Sequence, residues 1–372
     1  MSNFAYYVVV VRPKGKYKNI GDYIQSIAAR QFYPRIDGYV DREDLYNLQA
    51  ENNKPIKIIM NGCYLMYPEK WPPSNNIIPL FVSTHFFPFK IEKILEKKEY
   101  LGKHSPIGCR DSGTMNYLRN EGVECYFSGC LTLTLGNIYH YNEGKKRKEI
   151  LFVDPTFPIL KRNQITFEMF LKLSIFFLTN IKKCCYFAKK DFFRDYGNSN
   201  GRDFRPKGIK GILRRIYKAT SFYITYRTKF DDDILFSAEF LMHELSVDEY
   251  NSPSDEGWCN IADSYLKKYM TAELVVTSRI HAALPCLALK TPVIFVNSDI
   301  VDSQSISFNT PGRFGGIIDL FRNMYVNKFE IFTKDEKLRL FKRINKKTKF
   351  ENKDDWEMYA IDLNNRCKYF VK

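Results

Sequence analysis

The stretch Val275-Val276-Thr277-Ser278-Arg279-Ile280-His281-Ala282-Ala283-Leu284-Pro285-Cys286-Leu287-Ala288-Leu289, followed by Thr291-Pro292-Val293-Ile294, decides the fold class. A β-branched apolar run ends at Thr-Ser, an apolar small-residue helix fits 279–289, and a second apolar run spans 292–296. Strand, helix and strand in such close succession predict a parallel sheet covered on both faces. Working outward, a helix is expected at 258–270 and strands at 273–277, 234–241 and 149–155. The N-terminal half repeats the alternation. Strands are expected at 5–11, 56–60, 78–83, 107–109, 124–127 and 132–135, with helices at 22–32 and 112–120. The polar break Asn142-Glu143-Gly144 and the run Lys145-Lys146-Arg147-Lys148 mark a boundary. The expectation is an α/β protein with two Rossmann-like domains, 1–143 and 144–372, facing across a cleft. A basic aromatic insert at 160–220 interrupts the second.

Composition narrows the partners. The chain has 372 residues, a net charge of +15 and 16% aromatics. Residues 182–218 hold twelve Lys/Arg against three Asp, which is +9 of that excess. Lys and Arg beside Phe and Ile at helical spacing is the composition of a helix lying in an anionic bilayer surface. A surface helix hairpin packed on its own domain has the same composition, and both readings stay open. Nucleic acid is not expected, because no recognised binding motif accompanies the charge. The apolar stretch 173–181 is far shorter than the roughly 20 residues that span a bilayer. Nine cysteines without a CxxC pair or zinc spacing predict reduced thiols and no metal. Lacking a signal-peptide pattern, the chain is expected to be cytoplasmic.

The turn that fixes the fold also carries chemistry. Ser278 is a candidate N-cap, with Arg279 and His281 in the first turn. Free N–H groups and the helix macrodipole favour an anion there by roughly 0.3 to 1 kcal/mol. Arg279 adds a planar fork for carboxylate or phosphate, and His281 can move a proton near neutral pH. The competing expectation is structural: Arg279 paired with a carboxylate, His281 bonded to a carbonyl. In the first half, Asn19-Ile20-Gly21-Asp22 opens the first helix. Asp22 can cap it or orient a hydroxyl, and Asn19 presents an amide. His243 follows the strand expected at 234–241, and His85 follows Phe81-Val82-Ser83. Arg110 lies between a strand and a helix, where it can pair with Asp111. Arg313 sits in the glycine-rich Pro311-Gly312-Arg313-Phe314-Gly315-Gly316. Dinucleotide, P-loop, nucleophile-elbow and zinc-protease motifs are absent.

The order Asn19-x-Gly21-Asp22-x-x-Gln25, Gly108-x-Arg110-Asp111, Ser278-Arg279-Ile280-His281-Ala282-Ala283-Leu284-Pro285 and Thr291-Pro292-Val293-Ile294 resembles the polysaccharide pyruvyl transferase family. The resemblance covers most of residues 5–320 outside 160–220. It implies a glycosyltransferase-B-like enzyme that moves pyruvate from phosphoenolpyruvate onto two sugar hydroxyls as a ketal, with no cofactor beyond that donor. By position, Arg279 and His281 match the element tied to donor binding and catalysis, and His243 matches the family's other histidine. His281, His243 and Asp22 are thus the expected catalytic residues. Arg279, Ser278, Arg313, Asn19, Gly21, Arg110 and His85 are the expected substrate contacts. The acceptor is expected to be a glycan or lipid-linked oligosaccharide of capsule or exopolysaccharide assembly, met at the inner face of the cell membrane. Lys290, where a glycine commonly ends this helix, and the basic insert depart from the pattern. A nucleotide-sugar glycosyltransferase of the same architecture and a non-enzymatic surface adaptor are the alternatives.

Overall fold

The structure, a computed structural model, describes the chain except residues 1–2, 13–14, 65, 87–95, 97, 143, 145, 160–163, 196–207, 252 and 299–313. The strands in chain order are β1 (Ala5–Val10), β2 (Tyr17–Asn19), β3 (Gly38–Asp41), β4 (Ile56–Tyr64), β5 (Ile77–Phe86), β6 (Ile107–Cys109), β7 (Cys125–Phe127), β8 (Glu149–Val153), β9 (Glu239–Leu241), β10 (Glu244–Ser246), β11 (Ala272–Thr277), β12 (Val293–Ser298), β13 (Arg322–Asn327) and β14 (Glu330–Phe332). The main helices are α1 (Ile20–Arg30), α2 (Ser112–Asn120), α3 (Phe167–Thr179), α4 (Ile181–Ala188), α5 (Gly208–Tyr226), α6 (Asp255–Thr271), α7 (Ile280–Ala288) and α8 (Glu357–Val371).

Two six-stranded sheets result. The first runs β3-β1-β4-β5-β6-β7 and is parallel throughout; the second runs β14-β13-β12-β11-β8-β9 and is parallel except at β14. The α/β class read from alternating apolar runs is therefore present in both halves. A third, two-stranded ribbon joins the halves: β2 pairs antiparallel with β10, Asn19 opposite Glu244.

The largest core lies where the halves meet. Val8, Val10, Ile59 and Val82 of the first sheet and Leu151, Val153, Val275 and Phe295 of the second share one cluster with α1, α6 and α7. Each fully buried aliphatic side chain contributes about 1.5 to 3 kcal/mol relative to exposure, so this shared core fixes α1 against α7. A second, aromatic core welds the insert to the outer face of the second sheet. Phe152, Phe187, Phe193, Phe222 and Tyr226 meet there, Phe222 stacking on Tyr226 at 4.6 Å.

Two expectations differ from what forms. Residues 131–137 are a 3-10 helix rather than a strand at 132–135. The run 234–241 splits into a helix, Asp232–Ser237, and the short β9; Asp232 and Asp233 place negative charge in that helix's first turn, where the macrodipole favours it. A feature outside those expectations is that α8 packs on the first sheet, where Lys57 Nζ donates to the Phe370 carbonyl at 2.7 Å and Phe127 meets Tyr359. No helix among the described residues is long and apolar enough to cross a membrane.

Candidate active site

The ribbon between the halves brings the separate sequence motifs together. Asn19 ends β2 and caps α1, its Oδ1 accepting the Gly21 N–H at 3.0 Å. The neighbouring Ile20 N–H donates to the His243 carbonyl at 2.7 Å. Gly21 then lies directly on His281: a Cβ there would stand 3.0 Å from His281 Cβ and 3.1 Å from its Nδ1. The glycine is needed for this close approach between α1 and α7. Asp22 is not the cap, since Asn19 fills that role; its Oδ1 lies 4.0 Å from Arg42 Nη1.

Around α7 the geometry corrects one expectation and realises another. Ser278 does not cap the helix. Its hydroxyl donates to the Val296 carbonyl at 2.6 Å and accepts the Thr156 N–H at 2.8 Å, tying β11 to β12 and to the segment after β8. Arg279 occupies the cap position with extended backbone and makes no side-chain cap bond. Its Nε donates to Asp154 Oδ2 at 2.8 Å and its Nη2 to Glu244 Oε1 at 3.0 Å. The guanidinium is therefore paired with two carboxylates, as the structural expectation had it, while its side chain stays 34% exposed. His281 is 8% exposed, held between α7 and α1.

Asp154 organises this corner. Besides Arg279 it accepts the His243 N–H at 3.0 Å, from a backbone at φ 41°, a left-handed conformation that Asp tolerates better than most residues. His243 itself is buried, with its Nε2 2.7 Å from the Tyr269 hydroxyl. Burial, together with the Arg279 charge and against the pull of Asp154, lowers its pKa to about 3. The ring is neutral at physiological pH.

The remaining candidates collect at the carboxyl edge of the first sheet, the side on which open α/β sheets bind ligands. His85 Nδ1 lies 2.6 Å from Asp111 Oδ2 and 3.1 Å from Thr114 Oγ1. Asp111 caps α2 with its other oxygen, accepting the Thr114 N–H at 2.9 Å. The Cys63 thiol meets the His85 ring from the neighbouring strand. Burial opposes charge on His85, yet Cys63 and Asp111 outweigh it and raise the imidazole above its ordinary value. Burial also resists a Cys63 thiolate, but His85, Arg42 and Arg110 lower the thiol.

Arg110 is not paired with Asp111, whose oxygens are held by His85 and Thr114. Its side chain is 2% exposed and its Nε has no hydrogen-bond partner among the described residues. On α1, Gln25 Nε2 is likewise buried without a hydrogen-bond partner among the described residues. Arg313 lies outside the described residues.

Sequence reasoning passed over Asp154, Glu244, Cys63 and Tyr269. Asp154 had a signal, as a carboxylate ending a buried strand before Pro155. The others become visible only when the two sheets are joined.

No curated protein matches the chain. The family description "Polysaccharide pyruvyl transferase" matches residues 19–300, from the Asn19 cap through the whole strand-helix-strand unit around Arg279. Covering well over half of the sequence and both halves of the corner just described, this match shows that the chain belongs to the polysaccharide pyruvyl transferase family and is a transferase.

Proposed function

We propose that the chain moves pyruvate from phosphoenolpyruvate onto two hydroxyls of one sugar, closing a cyclic ketal and releasing inorganic phosphate. The reaction takes place in a cleft between two Rossmann-like domains of glycosyltransferase-B type, acceptor on the first (1–143) and donor on the second (144–372). The contact between Gly21 and His281 carries this reading: the family's Asn-x-Gly-Asp and Arg-x-His turns, from opposite ends of the chain, touch.

The chemistry asks for a proton at the donor's C3, which makes C2 electrophilic. One sugar hydroxyl adds to C2 and loses its proton; a second hydroxyl of the same sugar then displaces phosphate, which leaves with its bonding pair. His281 exchanges the protons, a role that contributes about 10² to 10⁴-fold. His243, neutral and bonded to Tyr269, is a positioning residue that holds the turn between β9 and β10 against α1. Asn19 and Asp22 orient the acceptor, and Gly21 lets α1, which carries Asp22, pack against His281.

Donor charge is met from two sides. Arg279, held by Asp154, exchanges its outer partner Glu244 for the donor anion. Arg110 supplies a second guanidinium, backed by the charge of Asp111, and its Nε, which has no hydrogen-bond partner among the described residues, supports this role. No cofactor enters the scheme. The acceptor is a glycan or a lipid-linked precursor of a capsule or exopolysaccharide at the cytoplasmic membrane face.

Mass spectrometry of candidate glycans incubated with the protein and phosphoenolpyruvate tests the reading. A pyruvyl-ketal mass gain with equimolar phosphate release is expected. Glycosyl transfer from a nucleotide sugar in its place would overturn the proposal.

A further inference from the structure

The carboxyl edge of the first sheet holds a nucleophile that pyruvyl transfer leaves unused. Cys63, near the end of β4, is the register partner of His85 on β5 in a parallel pair. Side chains at such partnered positions project to the same side of the sheet, and here the thiol and the imidazole are hydrogen-bonded. The ring is fixed in turn by Asp111 Oδ2, 2.6 Å from His85 Nδ1, and by Thr114 Oγ1 at 3.1 Å. Thiol, imidazole and carboxylate thus stand in the order of a base-activated nucleophile.

Two guanidiniums act on the same sulfur. Arg42, after β3, and Arg110, after β6, both favour negative charge on it. The described carboxylates of the corner are engaged elsewhere: Asp22 and Glu43 face Arg42, and Asp111 is held by His85 and Thr114. Tyr64, the next residue, is kept protonated by burial. Burial also resists a Cys63 thiolate, yet His85 and the two arginines draw the thiol below its ordinary value. The thiolate is the form of cysteine that reacts.

Access separates this thiol from the rest. Cys63 and Cys185 are partly exposed and the other seven cysteines are buried; Cys185 lies on α4, in the insert. Cys125 is also lowered, first by a hydrogen bond from Cys109, but it is buried, and its partner is a second thiol, a weaker acid than an imidazolium.

We propose that Cys63 is a modification site for small hydroperoxides, oxidised to a sulfenic acid with His85 as proton donor. The thiolate sulfur attacks one peroxide oxygen, and the O–O bond breaks with its electron pair leaving on the other oxygen as hydroxide. The His85 imidazolium protonates that hydroxide to water and is left neutral. Sulfur is oxidised by two electrons and the peroxide is reduced by two. The step uses neither donor nor acceptor, so it is read without turnover and independently of pyruvyl transfer.

The test exposes the full chain to hydrogen peroxide, folded and in urea, and traps sulfenic acid with dimedone for peptide mass spectrometry. At about pH 6 an unfolded thiol of pKa about 8.5 is only about 0.3% thiolate. A thiolate held by the fold is then favoured roughly 300-fold in population and set back about 10-fold by its lower intrinsic nucleophilicity. Folded Cys63 should therefore be trapped at least about 10-fold faster than in urea, and before any other cysteine. His85→Gln removes the proton donor and the charge that acts most strongly on the sulfur. It should slow trapping in the folded chain about 10-fold and leave the rate in urea unchanged. Alkylation of wild-type Cys63 by iodoacetamide across pH needs no variant: its rate should reach half-maximum well below the ordinary thiol value. Trapping no faster than in urea, a first adduct on Cys125 or Cys185, equal rates in wild type and folded His85→Gln, or an ordinary alkylation midpoint would each overturn the proposal.

Discussion

Arg279 and Arg110 occupy the same kind of place, a strand-to-helix turn at the carboxyl edge of a parallel sheet, and they differ in what surrounds them. Arg279 is paired with Asp154 and Glu244 and remains one-third exposed. Arg110 is almost wholly buried, and its neighbour Asp111 is committed to His85 and Thr114. A complemented guanidinium is already stabilised by its protein and gains from a ligand only by exchanging a partner. Arg110 feels the Asp111 charge through space, but its buried Nε has no hydrogen-bond partner among the described residues, which costs the fold energy that an anion could return. On the proposed mechanism the corner around Arg279 serves position, and the edge around Arg110 serves charge.

Substitution separates the two most sharply. Arg279→Ala leaves Asp154 buried without its partner. Its stability should fall by about 3 kcal/mol, the low end for a broken buried pair because the guanidinium is partly exposed. Turnover should fall at least about 10²-fold. Arg110→Met should leave stability within about 1 kcal/mol of wild type, because Asp111 keeps its hydrogen bonds to His85 and Thr114. It should instead lose the rise in thermal midpoint that phosphoenolpyruvate gives the wild type. Urea denaturation and thermal shift of both variants check this. An Arg110→Met protein as unstable as Arg279→Ala would erase the contrast.

Gly21 probes the seam between the two regions. Alanine would place a methyl carbon 3.0 Å from His281 Cβ, tighter than nearly all side-chain contacts, so the neighbour must give by a few tenths of an ångström. Either α1 or α7 must shift, at about 1 to 3 kcal/mol. Because rate is more sensitive than packing to small displacements of a reacting group, Gly21→Ala should lose more activity than stability. Near-normal turnover in a folded Gly21→Ala protein would remove His281 from the reaction.

How much of this was legible in the sequence follows from the range of the forces involved. The central strands declared themselves as unbroken apolar runs, because a strand covered on both faces admits no polar alternation. α2 was readable to its ends, with Asp111 ahead of it and Glu121-Gly122 behind. Thr132-Leu133-Thr134-Leu135 alternates as a strand does, yet packs against α1 and α7 as a 3-10 helix. The period of a four-residue run does not decide between them. The Asn19, Gly21, Arg279 and His281 motifs could be found singly, but Glu244 opposite Asn19 and Asp154 beneath Arg279 are long-range pairings that no local pattern encodes. The insert divides in the same way. Its aromatic spacing announced helices, and only packing separates the Phe222 face in the core from the Leu213 face outside it.

The pH dependence of stability offers a gentler comparison of the two regions through their histidines. His243 has a folded pKa near 3 against about 6.5 when unfolded. Above about pH 6.5 both states are neutral and its contribution is complete. As pH falls from there towards 3 the unfolded chain takes up a proton that the folded chain refuses, so stability drops by roughly tenfold in equilibrium constant per pH unit. His85 has the opposite sign, because Cys63 and Asp111 hold its folded pKa above the ordinary value. Its contribution is complete below the unfolded pKa and fades as pH rises through the folded one. Chemical denaturation across roughly pH 4 to 9 should therefore give a dome whose acid limb flattens in His243→Gln and whose alkaline limb flattens in His85→Gln. An acid limb unchanged in His243→Gln would mean that His243 is charged in the folded chain, and the buried bond to Tyr269 could not then be what fixes the turn against α1.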